Sequence, residues 1–133
     1  VFGYCIVNDV SERSWQKERG GQWIKGKSIA GPCGPHLVTK DEIKDINDIN
    51  LTLDVNGQRR QTGNTERMIF NFNFLISHIS QFMTLYPGTI ITTGTPAGTA
   101  IEMSVPKFLI TNDKLNLKVD YLGEQNQVVI DES

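Results

Sequence analysis

Leu51-Thr52-Leu53-Asp54-Val55-Asn56-Gly57-Gln58-Arg59-Arg60-Gln61 states the fold class most clearly. Apolar and polar residues alternate from Leu51 to Val55, the pattern of a strand with one face in a core and the other in solvent. Asn56-Gly57 then supplies two residues that tolerate positive φ, as a type I′ turn requires. The chain should therefore turn back over Gln58-Arg59-Arg60-Gln61 as a tight hairpin.

The same reading extends in both directions. Downstream, Asn64 or Thr65 can cap the next element, and the spacing predicts a helix over 69–83. Phe72, Leu75, Ile76, Ile79, Phe82 and Met83 recur on one face of it, with Asn73, Ser77, Ser80 and Gln81 on the other and His78 off the apolar stripe. Pro87-Gly88 marks a turn after that helix. Ile90 to Thr93 is β-branched and reads as a strand. Residues 114–121 and 126–130 alternate again and are expected to form a second hairpin, joined near Gly123-Glu124.

Upstream, the apolar run from Phe2 to Val7 reads as a buried first strand over residues 2–8, with a short helix or turns over 11–18. Residues 19–35 hold Gly20, Gly21, Gly26, Gly31, Gly34, Pro32 and Pro35, a density of breakers that predicts a long loop. Loops of that length are often functional. His36 to Thr39 should be a short strand before a turn at Lys40-Asp41-Glu42. Strands dominate, with one helix packed against them.

At 133 residues the chain is expected to form a single domain, 1–133. A net charge of −2 with no basic block argues against nucleic acid as a partner. No apolar run is long enough to span a bilayer as a helix. Cys5 and Cys33 lack metal-type spacing and predict free thiols in a reducing cytoplasm, with Cys5 buried in its strand. The first residue is Val and the chain opens in mid-strand, which predicts a preceding segment.

The stretch Asn8-Asp9-Val10-Ser11-Glu12-Arg13-Ser14-Trp15-Gln16 carries the densest candidate chemistry. If a helical turn opens at Ser11, then Asp9, Arg13 and Gln16 fall at i, i+4 and i+7 on one face. Asp9 has two readings: an N-cap carboxylate pairing with Arg13, or a ligand to a hard divalent metal. Arg13 could grip a carboxylate bidentately, and Gln16 could hydrogen-bond a carbonyl. Lys25 and Lys27 flank Gly26, and a lysine held in a pocket would donate to a developing enolate oxygen. In Thr92-Thr93-Gly94-Thr95-Pro96-Ala97-Gly98, small residues allow close backbone approach, and hydroxyls with N–H groups can hold an oxyanion. A tight turn after a buried strand would read the same way. There is no Ser-His-Asp order, zinc-protease motif or phosphate loop.

Taken together, these segments resemble the carboxy-terminal portion of the fumarylacetoacetate hydrolase family. The resemblance runs through Gly3-Tyr4, Asn8-Asp9-Val10-Ser11 with Arg13 and Gln16, Gly26-Lys27-Ser28, and Gly34-Pro35-His36-Leu37-Val38-Thr39. It continues with Asp41-Glu42-Ile43, Val55-Asn56-Gly57 with Gln61, Asn64 and Thr65, then Met68-Ile69-Phe70 and Pro87-Gly88. Thr93-Gly94-Thr95-Pro96-Ala97-Gly98 and Leu122-Gly123 complete it, in the family's order over nearly the whole chain. Glu12 and Glu18-Arg19-Gly20-Gly21-Gln22-Trp23 are most similar to ureidoglycolate lyase-like or diketo-acid hydrolase members.

The resemblance implies a mainly β fold with one main helix (α+β), a mixed β-sheet roll incomplete at its N-terminus. It implies a small oxo acid as substrate, magnesium, manganese or calcium as cofactor, and a homodimer or higher oligomer. Asp9 then resembles a metal-coordinating aspartate, Arg13 and Gln16 resemble substrate contacts, and Lys27 resembles the lysine that donates to a substrate oxygen. Thr95, with Gly94, resembles the loop contact to a substrate carboxylate or carbonyl. The implied reaction is hydrolysis of a carbon–carbon bond in a 1,3-diketo acid, with isomerase, decarboxylase and ureidoglycolate lyase relatives as alternatives.

Two departures bear on that reading. The family's Glu-x-Glu metal ligands, and the His and Glu that activate water, belong to a segment upstream of the first residue and have no counterpart in this chain. The loop after Lys27-Ser28 reads Ile29-Ala30-Gly31-Pro32-Cys33 and is shorter than the family's usual element. A catalytically inactive remnant that keeps the fold but lacks the metal site is the rival expectation.

Overall fold

The structure is a computed structural model that describes residues 1–14 and 31–131. Among the described residues six strands are formed: β1 (Gly3–Val7), β2 (Cys33–Thr39), β3 (Asn50–Val55), β4 (Gln58–Asn64), β5 (Lys114–Val119) and β6 (Gly123–Val128). The helix α1 spans Phe72–Ser80. β1 and β2 form a two-stranded sheet, and the other four form a sheet in the order β4-β3-β5-β6. Every pairing among these strands is antiparallel.

The β3–β4 hairpin turns where its sequence predicts. Asn56 and Gly57 sit at φ 52° and 75°, the double positive that a type I′ turn needs. The Asn56 side chain also ties this turn to the start of β5: its amide donates to the Asp113 carboxylate at 2.7 Å, and its oxygen accepts from the Lys114 N–H at 2.9 Å. The alternation of β3 and β5 then directs Val55, Leu115 and Leu117 inward, where they join Ile6, Ile43, Ile49 and Leu122 in the core.

A polar chain joins the two sheets. Gln125 is buried on β6, and its amide nitrogen donates to the carbonyls of Gly34 at 2.7 Å and Ile6 at 3.2 Å. Its oxygen accepts from Gln127 at 2.7 Å, and Gln127 in turn accepts from the buried Asn8 at 2.6 Å. Buried amides are tolerated because each finds a partner. The result anchors the end of β1 against β6.

Several sequence expectations shift. Ile90–Thr93 is not a strand: none of its backbone lies in a ladder with a described strand, and Ile90 is 63% exposed. β-branched residues favour a pleated surface but cannot form one without a partner backbone. The helix is shorter than 69–83, because the Asn71 side chain caps it by accepting from the Phe74 N–H at 2.9 Å. Asn64 instead caps the short 3₁₀ turn Thr65–Arg67, accepting from the Glu66 N–H.

Phe82 and Met83, expected on the apolar face, are 75% and 60% exposed beyond the end of α1. Phe70, Phe74, His78 and Phe82 form an outward row of ring contacts at i, i+4 spacing, with neighbouring centroids 4.6, 5.9 and 5.0 Å apart. β2 begins at Cys33, inside the span expected to be loop, because its backbone pairs with Val7 there. The second hairpin turns at Asp120–Leu122, earlier than expected, with Tyr121 at φ 66°. Cys5 is half-buried and lies against Cys33 rather than inside the core.

Candidate functional site

A cleft of about 1330 Å³ opens between the end of β1 and the segment that follows α1. Asp9, Arg13, Gly94 and Thr95 all line it, so the structure brings together four of the six residues singled out in the sequence. Gln16 and Lys27 lie outside the described residues.

Asp9 is placed by its neighbours. Asn8 is buried; its side chain is held by Gln127, and its N–H donates to the Pro32 carbonyl at 2.9 Å. Asp9 follows immediately and is exposed at the cleft. The Val10 N–H turns back to the Asn8 carbonyl at 2.9 Å, which bends the chain as it leaves β1. Arg13 and Ser14 are helical, and the Ser14 N–H donates to the Glu12 carboxylate at 3.0 Å. Helical geometry thus begins at Arg13, where the sequence spacing placed its opening at Ser11.

The Thr93–Thr99 loop, which also contributes to the lining, is pinned to β4. The Gln61 amide donates to the Thr95 hydroxyl at 3.0 Å and to the Pro96 carbonyl at 2.7 Å. Gly98 has φ 105°, and a Cβ there would lie 2.0 Å from the Arg60 carbonyl, so the loop needs glycine at its point of contact. Gly63 allows the same closeness beneath Pro96.

The far end of the loop is held by Glu102. Its carboxylate accepts from the N–H groups of Gly98 and Thr99, each at 2.8 Å, and from the Thr99 hydroxyl at 2.9 Å. Those donors, the Thr99 N–H foremost, hold the Glu102 carboxyl below its ordinary pKa of 4.5. Gly94, at φ 96°, has open space around it, so the loop backbone can be approached from the cleft side.

Two cationic residues join the lining without a motif to announce them. Arg60 and Lys107 both face the cleft. The Arg60 Nη1 lies 2.9 Å from the Met103 sulfur, and its Nε is buried without a hydrogen-bond partner among the described residues. The alternation of β4 could have placed Arg60 and Gln61 on opposite faces, but it could not show that the first faces a cleft and the second holds a loop.

Asp9 offers one hard oxygen ligand at the cleft, and among the described residues no three His, Cys, Asp or Glu side chains cluster closely enough to hold an ion. One carboxylate does not make a divalent-cation site. The described residues therefore do not fit a complete metal centre.

The fold agrees with what comparison with known proteins finds. The model of the fumarylacetoacetate hydrolase C-terminal family matches residues 1–130, and the chain belongs to that family. A relative from Burkholderia cenocepacia with a provisional hydrolase name is 52% identical over 130 residues, covering 96% of this chain and 46% of its own length. The chain thus spans about half the length of the curated relatives it matches.

Among solved structures, a fumarylacetoacetate hydrolase from Exiguobacterium antarcticum is 39% identical with a TM-score of 0.89, covering 97% of this chain and 47% of that one. A maleylpyruvate hydrolase from Sphingobium, in complex with manganese(II) and pyruvate, is 31% identical with a TM-score of 0.83, covering 98% and 44%. A 2-hydroxyhepta-2,4-diene-1,7-dioate isomerase from Mycobacterium marinum is 36% identical with a TM-score of 0.80, covering 94% and 46%. Among the described residues no helix is long and apolar enough to cross a membrane.

Proposed function

We propose that this chain is the carboxy-terminal part of a divalent-metal-dependent hydrolase that cleaves a carbon–carbon bond in a small 1,3-diketo acid of the acylpyruvate kind. The observation that carries the reading is that Asp9, Arg13, Gly94 and Thr95, from two segments far apart in the chain, line the same cleft. Family membership and a neighbour that binds manganese and pyruvate support the same substrate class.

In this reading Arg13 grips the substrate carboxylate through its two-pronged guanidinium. Thr95, held by Gln61 from behind, donates its hydroxyl to a second substrate oxygen, and the glycine-flanked loop lets that oxygen approach the backbone. Gln16 would add a carbonyl contact, and Lys27 would donate to the enolate oxygen that forms as the bond breaks. Asp9 would be one ligand of a magnesium, manganese or calcium ion whose other ligands lie beyond the described residues. The working form would be a homodimer or higher oligomer in the cytoplasm.

Calorimetric titration with manganese, together with loss of the enol absorbance of an acylpyruvate, tests the proposal on the whole natural polypeptide. Binding tighter than about millimolar, abolished in Asp9→Ala, is expected of a site with several oxygen ligands. In Arg13→Leu, KM should rise at least about tenfold through the lost charged hydrogen bonds. Absence of both binding and turnover would replace the enzyme with an inactive remnant of the fold. Turnover of a 2-hydroxy-dienedioate without cleavage would move the reading to the isomerase branch.

A further inference from the structure

Cys5 and Cys33 are separated by nearly the whole candidate site segment, yet their sulfurs lie 3.3 Å apart. The register explains this. Val7 pairs with Cys33 across the β1–β2 ladder, and Cys5 stands two residues before Val7. The register shifts between Tyr4 and Ile6, at Cys5 itself, and the two sulfurs meet across the ladder beside that irregularity. Cys33 is exposed and Cys5 half-buried, so one sulfur can be reached from solvent and the other is poised behind it. A disulfide needs the sulfurs only roughly 1 Å closer than they stand.

We propose that Cys5 and Cys33 form a reversible cross-strand disulfide by exchange with a low-molecular-weight disulfide of the glutathione type. The Cys33 thiolate attacks one sulfur of oxidised glutathione; the S–S bond breaks, and one glutathione thiolate leaves and takes up a proton. The Cys5 thiol gives its proton to solvent and attacks the Cys33 sulfur, and the second glutathione leaves. Two cysteine thiols are oxidised and one glutathione disulfide is reduced to two thiols.

The order of events follows from the surroundings. Burial, reinforced by the neighbouring Cys33 thiol, pushes the Cys5 pKa up to about 11, so Cys5 stays protonated near neutrality and acts as the resolving partner. The bridge covalently closes the segment that carries Asp9 and Arg13, and fixes where that segment leaves β1 and rejoins the sheet at β2.

Intact-mass and peptide mapping of the full chain incubated with oxidised glutathione test it. The wild type should lose about 2 Da and yield a peptide joining Cys5 to Cys33, with no lasting glutathione adduct. Cys5→Ser should instead accumulate an adduct of about 305 Da at Cys33. Cys33→Ser should form no bridge, with Cys5 modified at least about tenfold more slowly than Cys33 is in the other variant. Bridging should be at least about tenfold faster in the native chain than in urea, where only random loop closure brings the thiols together. A lasting adduct without a bridge in the wild type, or equal rates in native and urea-unfolded chains, would overturn the proposal. The wild-type comparison decides the matter even if a serine variant fails to fold.

Discussion

Replacing Gln125 with leucine should damage the fold more than any other single change to a side chain of β6. The leucine fills much of the same volume but donates nothing. Gly34 and Ile6 would each lose a donor to their carbonyls, from bonds of 2.7 and 3.2 Å, while the Pro32 carbonyl keeps its bond from the Asn8 N–H. Each lost bond costs about 1 kcal/mol net, and carbonyls left underpaired in a buried setting add desolvation on top. Together these effects come to about 3 kcal/mol, roughly two orders of magnitude in the folding equilibrium.

For a chain of this length that lowers the melting temperature by about 10 °C. Urea unfolding followed by circular dichroism would measure it. Gln127→Leu serves as the comparison: Gln127 is half-buried and solvent can partly replace its contacts, so its loss should be about 1 kcal/mol. A Gln125→Leu change below about 0.5 kcal/mol, or one smaller than that of Gln127→Leu, would refute the claim that this amide chain joins the sheets.

Two further expectations concern the loop wall of the cleft. Gly98→Ala should cost at least about 2 kcal/mol, because both the positive φ and the Arg60 carbonyl oppose a Cβ; Gly57→Ala, with open space around it, should cost only about 1 kcal/mol in the same urea experiment. Glu102 has a folded pKa held below its ordinary 4.5, so its capping bonds stabilise the fold above that value and are lost as pH falls through the lower folded value. The stability gap between wild type and Glu102→Gln should therefore be full near neutrality and close as the pH drops below 4.5. A gap that stays constant through acid would contradict the capping role.

The sequence was most legible where one local rule sufficed. Asn56-Gly57 announced a type I′ turn, and the alternation of Leu51–Val55 named an inward face on which Val55 is in the core and Leu53 packs against it. The family motifs likewise marked Asp9, Arg13, Gly94 and Thr95 before any geometry was known, and the structure sets all four on one cleft. Legibility failed where a residue's state depends on a distant partner. Ile90–Thr93 has the composition of a strand, but no described strand runs beside it. Gln125 lies in the polar run Gly123-Glu124-Gln125-Asn126-Gln127, which gives no sign that one of these amides is buried. Arg60 reads as one charge among several in a hairpin, yet it faces the cleft with a buried Nε.

Local spacing, turn chemistry and motif order by themselves determined the fold class, the hairpin at Asn56-Gly57 and the candidate groups near Asp9 and Thr95. They act through neighbouring residues, so a linear reading contains them. Tertiary structure alone decided that the β1 end and the Thr93–Thr99 loop line one cleft, that Gln125 joins the two sheets, and that Cys5 meets Cys33. Each of those depends on strand register and on contacts between residues far apart in the chain, which only the closing of the ladders brings within bonding distance.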